Sequence, residues 1–178
     1  ITKCELQFKN IDIRDTNALD KIFKSFKPDA VIHFAGLKAV GESVADPLKY
    51  YDVNVGGSIS LLTAMTKAEC SNIVFSSSAT VYGKPEYLPY DEKHPTNPVN
   101  PYGRTKLIIE NIIHDWTKVD NKRRGTILRY FNPVGAHDSG QIGDEPIGVP
   151  NNLMPYIAQV ADGRCEHLNI FGNDYDTS

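Results

Sequence analysis

Short apolar runs alternate with longer amphipathic segments along most of the chain. Residues 30–35, 72–77 and 126–131 are compact apolar runs of the kind that form buried strands, and the stretches between them have helical spacing. Strands that alternate with helices of this length form βαβ units, which imply a parallel sheet. The sequence therefore predicts an α/β protein, a Rossmann-like doubly wound parallel sheet that binds ligands at the carboxyl ends of its strands.

Capping residues mark where the predicted helices begin and end. Asp15 opens one helix and Pro28 ends it, while Asn100 is an N-cap with Pro101 at the first helical position of another. The remaining predicted elements are a strand over 6–13, a helix over 47–68, the end of the Asn100 helix near 119, a short helix over 153–160 and a strand near 170 that turns into a loop.

Composition excludes several classes of protein. Lys and Arg number 19 against 22 Asp and Glu, a net charge of −3, which is not typical of a nucleic-acid binder. No apolar stretch approaches the roughly 18 residues that a membrane helix needs. Cys4, Cys70 and Cys165 are odd in number and without Cys-x-x-Cys spacing, which argues against a disulfide framework or a zinc site. These features predict a protein of the reducing cytoplasm.

The two ends of the chain suggest a fragment. The sequence opens at Ile1 without Met or a signal-peptide layout, and it ends a few residues after the strand predicted near 170. We therefore expect an internal piece of a longer protein.

Tyr102 and Lys106 are the most informative pair of residues. Their i to i+4 spacing places them on one face of the predicted helix. An ammonium beside a phenol favours the phenolate, so Tyr102 is a candidate base near neutral pH, and Lys106 can donate hydrogen bonds to a sugar hydroxyl. The spacing alone is weak evidence, because most such pairs are incidental neighbours on a helix surface.

Other candidate residues follow the predicted strands. A run of three serines ending at Ser78 places hydroxyls at the carboxyl end of a strand, although such a run also caps turns. Gly36 allows backbone to approach a flat or anionic ligand closely, or it serves a plain turn. Asp12 is able to accept a hydrogen bond from an adenine amino group, or to cap a turn. Each residue has a structural explanation, and only the combination indicates a site.

Taken together, the motifs are identified as those of a known family. The strings that carry the resemblance are HFAGLKAVGES at 33–43, SSSATVYG at 76–83, LRYFNPVGAH at 128–137 and PNNLMPY at 150–156. With Tyr-x-x-x-Lys they resemble the UDP-glucose 4-epimerase family of the extended short-chain dehydrogenase/reductase superfamily. The resemblance covers essentially the whole chain in one register.

The resemblance implies a role for each matching position. The catalytic residues would be Tyr102, Lys106 and Ser78. The NAD-binding residues would be Asp12, Ile13, Phe34, Ala35, Gly36, Leu37, Lys38, Asn54, Ser78, Tyr102, Lys106 and Phe131. The substrate-binding residues would be Ser78, Ala79, Thr80, Tyr102, Asn132, Asn152, Leu153, Asn169, Ile170 and Phe171. Residues 1–131 would form an incomplete NAD-binding domain and 132–178 the start of a UDP-sugar-binding domain.

The same resemblance implies a reaction, the interconversion of UDP-galactose and UDP-glucose in galactose metabolism. Tyr102 would take the proton from the 4-hydroxyl of the hexose while a hydride leaves C4, and Ser78 would help to relay the proton. Because the hydride returns to the other face of the sugar, the enzyme would be an isomerase. The expected reaction uses no metal ion.

Departures from the family pattern are equally specific. The glycine-rich pyrophosphate turn and the acidic residue for the adenosine ribose do not occur in the chain, so we expect that this piece alone is inactive and binds NAD weakly. The family is typically a homodimer, here through the helices over 47–68 and 100–119. Fungal members are often fused to an aldose 1-epimerase domain, which would make the whole protein multifunctional.

Two other functions remain open from the sequence. A nucleotide-sugar 4,6-dehydratase uses the same hydride step, but it carries an acidic pair where this chain has Ala79 and Thr80. A sugar- or NAD-sensing module without catalysis is the second alternative. The presence of Ser78, Tyr102 and Lys106 argues against it.

Overall fold

The structure is a computed structural model that describes residues 4–144, 146–148, 150, 152–170 and 172. The chain divides into two compact units, Ile1–Phe131 and Asn132–Ser178. The elements of the first unit are α1 (Thr16–Phe26), β1 (Ala30–His33), α2 (Val40–Ala45), α3 (Pro47–Tyr50), a π-helical turn (Tyr51–Gly56), α4 (Gly57–Lys67), β2 (Asn72–Ser78), a 3₁₀ turn (Ala79–Val81), α5 (Pro101–Lys118) and β3 (Arg124–Tyr130). The second unit contains α6 (Leu153–Ala161).

The three strands form one parallel sheet in the order β1-β2-β3. Val31 of β1 is the register partner of Ile73 in β2, and Ile73 is the register partner of Gly125 in β3. Each connection between neighbouring strands contains helices, as a βαβ unit requires. The predicted α/β class with a Rossmann-like parallel sheet is therefore confirmed, and all three strands have their carboxyl ends at one edge.

Helices α1, α4 and α5 pack on one face of this sheet. Every second residue of β2 points to these helices. Ile73 and Phe75 are buried, whereas Asn72 at the start of the strand is exposed. The core that results joins α1, α4, β2 and α5 through these buried side chains: Leu19, Phe23, Leu61, Leu62, Ala64, Met65, Cys70, Ile73, Phe75, Ile109 and Ile113. Burial of this apolar surface is the main force that holds α5 over the sheet.

The strand predicted over 6–13 is wrong. The described part of this segment has no strand, and Leu6 and Phe8 are exposed. The alternation of apolar and polar residues was correctly recognised, but a strand also needs a neighbour for its backbone hydrogen bonds. In the described part of the chain no strand pairs with it.

Two other predicted elements differ in detail. The helical segment over 47–68 is confirmed in extent, but it contains α3, the π-helical turn and α4, and the short helix α2 before it was not predicted. Ile170, predicted to lie in a strand, has no regular structure. No helix within the described ranges combines the length and apolar character needed to cross a membrane.

Candidate functional site

The predicted site residues of the first unit follow the carboxyl ends of the strands. Phe34 to Lys38 come after β1, Ser78 ends β2 with Ala79 and Thr80 in the 3₁₀ turn, and Phe131 comes after β3. Tyr102 and Lys106 lie in the first half of α5, which packs against β2. The fold thus brings together segments that are far apart in sequence.

The start of α5 is fixed by two caps. The Asn100 side chain accepts a hydrogen bond from Gly103 N at 2.8 Å, and Pro101 occupies the first helical position as predicted. The sequence did not predict a second cap, because that cap comes from another helix, α2. The buried Ser43 hydroxyl accepts a hydrogen bond from Tyr102 N at 3.2 Å and donates one to Val40 O at 2.6 Å. Both caps hold the first turn, which carries Tyr102.

Lys106 reaches from α5 to the end of β2. Its Nζ donates to Ser76 O at 2.8 Å and lies 4.9 Å from the centre of the Phe75 ring. The residue is only 5% exposed, and burial lowers the pKa of its ammonium to about 8. An ammonium has three N–H groups, and among the described residues only Ser76 O accepts one. Two donors are therefore available for a ligand.

Tyr102 does not have the lowered pKa that the sequence suggested. Burial raises the pKa of Tyr102 above its usual value, and the nearby Ser78 hydroxyl lowers it by a smaller amount. Lys106 does not offset the burial, because its Nζ is directed to Ser76 O and lies 5.8 Å from the centre of the phenol ring. The ammonium therefore does not by itself lower the pKa of Tyr102, and the role of Tyr102 as a base stays a prediction.

Ser78 is oriented toward the phenol by Thr80. The Ser78 Oγ accepts from Thr80 N at 3.2 Å and from Thr80 Oγ1 at 3.0 Å. Since these two bonds use the lone pairs of the serine oxygen, its hydrogen remains free to donate to Tyr102. The 3₁₀ turn that begins at Ala79 therefore orients the hydroxyl that favours the phenolate of Tyr102.

Asn54 supports the turn after β1. Its Oδ1 accepts from Leu37 N at 2.7 Å, and its Nδ2 donates to Leu37 O at 3.0 Å and to Thr105 Oγ1 at 3.2 Å. Gly36 lies beside this amide with φ +149°, and a Cβ there would be 3.0 Å from Asn54 Oδ1. The turn is therefore pinned to α5 with no side chain at Gly36, which leaves its backbone open to a ligand.

His33 extends this network into the core. Ser58 Oγ donates to Asn54 O at 2.6 Å, so its contact of 2.9 Å with His33 Nε2 requires the imidazole to donate. Burial first, and then the charge of Lys106, lowers the pKa of His33 to about 4. A neutral imidazole thus holds the π-helical turn in place.

Acidification should therefore destabilise the protein through His33. The pKa of this imidazole is about 6.5 in an unfolded chain and about 4 here, so its contribution is complete above 6.5 and is lost as the pH falls through 4. We expect the free energy of unfolding to fall by about 3 kcal/mol from this group between about pH 7 and about pH 4. Denaturant titrations of His33→Gln should show a smaller fall than the exposed control His114→Gln. Equal pH dependence in the two variants would contradict this interpretation.

Asp12 and Ile13 lie at the start of α1. The Asp12 carboxylate is held by Arg14, which also pairs with Asp52 of the π-helical turn, and the Arg14 hydrogen bond lowers the pKa of Asp12 to about 2. Ile13 packs against Gly57, where a Cβ would come within 2.4 Å of its Cγ2. The two residues are thus tied to the turn that bears Asn54.

Aromatic rings surround the end of β3. Phe131 is 58% exposed, and its ring centre lies 5.8 Å from that of Tyr90, which stacks on Tyr82 at 4.8 Å. A cavity of about 540 Å³ opens beside these rings. It is lined by Tyr82, by residues 90–92 of the loop after β2 and by residues 127–131. Sequence reasoning found Phe131 but missed the tyrosines that hold it.

The remaining predicted residues belong to the second unit. All five that the structure describes are exposed: Asn132, Asn152, Leu153, Asn169 and Ile170. Asn152 precedes α6 without a side-chain hydrogen bond to that helix, so its amide is not used as a cap. Phe171 lies outside the described residues.

Comparison with a model of a protein family tests the family membership that the motifs suggested. The model of the NAD dependent epimerase/dehydratase family matches residues 2–176. The chain belongs to this family. The resemblance inferred from the motifs is therefore confirmed at the level of the family.

Individual members of the epimerase/dehydratase family are closely similar to the chain. "UDP-glucose 4-epimerase 2" of Arabidopsis thaliana is 59% identical over 172 residues, which are 97% of this chain and 49% of that protein. The human UDP-glucose 4-epimerase is 57% identical over 178 residues, 99% of this chain and 51% of the relative. The chain spans about half the length of the curated relatives it matches.

A solved structure of a family member has the same fold. The UDP-glucose 4-epimerase of Bifidobacterium longum, in complex with NAD⁺ and UDP, superposes with a TM-score of 0.89 at 49% identity. The superposition covers 95% of this chain and 51% of that one. The α/β arrangement described above is thus the arrangement of family members that bind NAD.

Proposed function

We propose that the chain carries the catalytic residues of a UDP-glucose 4-epimerase, an isomerase that interconverts UDP-galactose and UDP-glucose. The observation that carries the proposal is the meeting of Ser78, Tyr102 and Lys106 at the carboxyl edge of the sheet. A phenol beside a hydroxyl that favours the phenolate is equipped to take and return a proton. The names of the relatives, each a UDP-glucose 4-epimerase, support the choice of substrate.

The residues of the first unit fit NAD as the cofactor. The turn at Gly36 presents backbone without a side chain, as close contact with a dinucleotide requires, and Lys106 keeps two N–H groups free for ribose hydroxyls. Asp12, beside Ile13, is an exposed carboxylate that could turn from Arg14 to an adenine amino group, and the exposed ring of Phe131 suits a flat nicotinamide. NAD, when bound, accepts a hydride from the substrate and gives it back.

The chemistry of the chain's own residues is proton transfer. Tyr102 takes the proton of the sugar 4-hydroxyl as C4 is oxidised to a ketone, and it returns that proton when C4 is reduced. Ser78 donates to the reacting oxygen or to the phenolate, and Thr80 keeps its hydroxyl in that direction. Loss of the hydride from one sugar face and its return to the other inverts C4 without net redox change.

The second unit is proposed to hold the UDP group. Asn132, Asn152 and Asn169 expose amides able to bind uracil, ribose or phosphate oxygens, while Leu153 and Ile170 expose apolar surface. Residues 1–131 accordingly bind the dinucleotide, and 132–178 contribute to the UDP-sugar-binding domain. Anchoring the UDP group would let the hexose turn over between the two hydride steps.

Assembly and location are further parts of the proposal. A homodimer through α4 and α5 is supported by apolar side chains on these helices outside the core, such as Ile59, which is 48% exposed. A cytoplasmic location is supported by the three cysteines, which are odd in number and lack Cys-x-x-Cys spacing. Sedimentation of the full-length protein would test the dimer.

A coupled assay of the full-length protein tests the proposed function. Purified protein should retain NAD and convert UDP-galactose to UDP-glucose, with no dehydrated product. Formation of a 4-keto-6-deoxy sugar would favour a 4,6-dehydratase, although neither Ala79 nor Thr80 supplies the acid that this reaction needs. Binding of UDP-sugar without turnover would indicate a sensing module and contradict the proposal.

A further inference from the structure

A buried carboxylate connects the three elements that carry the candidate site. Glu110 of α5 is 4% exposed and contacts Arg129 of β3 and Ser77 of β2. Arg129 donates through Nη2 to Oε2 at 2.7 Å and through Nε to Oε1 at 3.1 Å, and the Ser77 hydroxyl donates to Oε1. We call Ser77, Glu110 and Arg129 the Glu110 clamp.

Each member of the Glu110 clamp lies close in sequence to a candidate site residue. Glu110 is four residues after Lys106 and eight after Tyr102, so the three side chains lie near one face of α5. Ser77 directly precedes Ser78, and Arg129 is two residues before the exposed ring at 131. The contacts therefore join the segments whose alignment the site requires.

We propose that the Glu110 clamp fixes the rotation of α5 against the sheet and so keeps the Tyr102 phenol in contact with Ser78. Glu110 and Arg129 are positioning residues, since neither is placed at the substrate. The expected effect on turnover rests on the proposed function. The geometry on which it stands is independent of the substrate.

The apolar contacts of α5 define this rotation less sharply than directional contacts do. Ile109 and Ile113 bury area against the core, and burial of area has no preferred direction. A bidentate contact between a guanidinium and a carboxylate is directional. A phenol oxygen lies roughly 10 Å from the helix axis, so a rotation of about 10° displaces it by about 2 Å. Errors of about 1 Å at reacting groups reduce turnover strongly.

Arg129 also contacts an aromatic ring. Its guanidinium carbon lies 4.8 Å from the centre of the Tyr82 ring, and Tyr82 is buried. The Glu110 hydrogen bond raises the pKa of Arg129 above its usual value, so the guanidinium remains charged at any pH of interest.

The pKa of Tyr102 reports the alignment directly. Burial raises this pKa, and the nearby Ser78 hydroxyl is the group that lowers it. The other titratable groups near the phenol are Lys106, on the same helix, and Tyr50 of α3, whose pKa is raised mainly by burial and then by its hydrogen bond with Glu42. A rotated α5 would lose the Ser78 contact and raise the pKa of Tyr102 further.

The test replaces the whole Glu110 clamp by apolar side chains in the full-length protein. Ser77→Ala, Glu110→Leu and Arg129→Met together leave no unpaired buried charge, and such replacements often preserve stability. Glu110→Gln is a second, milder variant. Lys67→Met is the control, since it removes the ion pair of 2.8 Å with Asp20, which joins α1 to α4. The pKa of Tyr102 is measured by ultraviolet difference titration against the same protein with Tyr102→Phe.

We expect the pKa of Tyr102 to rise by about one pH unit in the triple variant, with kcat lowered about tenfold or more and KM changed less than about threefold. The control should match the parent protein. A folded triple variant with unchanged Tyr102 pKa would overturn the inference, and if it does not fold, an unchanged pKa in Glu110→Gln would do so. If the parent protein lacks epimerase activity, the proposed function falls, while the titration still decides the role of the Glu110 clamp.

Discussion

In the full-length protein, Tyr102→Phe is expected to lower the turnover of UDP-galactose by about a hundredfold or more. The substitution removes the phenol oxygen that takes the proton of the 4-hydroxyl, and general base catalysis is typically worth this factor. The ring itself is retained, so the packing of α5 should be unaffected. Steady-state kinetics at several pH values would measure the change.

Tyr87→Phe is the matched control for this experiment. Tyr87 also bears a hydrogen-bonded phenol, which donates to Asp91 Oδ1 at 2.8 Å, but it lies in the loop after β2 and is 43% exposed. Its loss should leave turnover near the parent value. Near-normal turnover in Tyr102→Phe would refute the assignment of Tyr102 as the base.

Lys106→Met is expected to lower turnover about tenfold or more and to change its pH dependence. The substitution removes the two free ammonium donors and the bond to Ser76 O. The pKa of Lys106 is lowered to about 8, so in the parent protein the charged form is lost as the pH rises through about 8. Turnover of the parent should fall over this range, and the variant should lack that decline.

Lys118→Met provides the control on the same helix. Lys118 is exposed in the last turn of α5 and pairs only loosely with Asp115, at 3.8 Å. It should retain both the turnover and the alkaline decline of the parent protein. An alkaline decline that persists unchanged in Lys106→Met would exclude Lys106 as its origin.

The sequence predicted those parts of the fold that local patterns determine. The caps at Asp15 and Asn100 were assigned correctly, because they depend on neighbouring residues in the chain. The strand over 6–13 was not, because strand formation depends on a pairing partner elsewhere. The π-helical turn Tyr51–Gly56 was also missed, since no residue type distinguishes it from the helices on either side.

The candidate site shows the same division. Tyr102, Lys106 and Asn54 were found through a motif, but the raised pKa of Tyr102 depends on burial that spacing does not reveal. Glu110 was missed although its spacing from Lys106 was visible, because the significance of a carboxylate there depends on Arg129, nineteen positions away on another element. Contacts between elements are the part that a single sequence leaves undetermined.

The fate of the hydrogen at C4 tests the account most directly. UDP-galactose that carries deuterium at C4 would be converted by the full-length protein in ordinary water, and the UDP-glucose formed would be analysed by mass spectrometry and NMR. If C4 is oxidised by hydride loss and reduced by return of the same hydride, the deuterium should remain at C4 of the product. Loss of the deuterium to water would contradict the account.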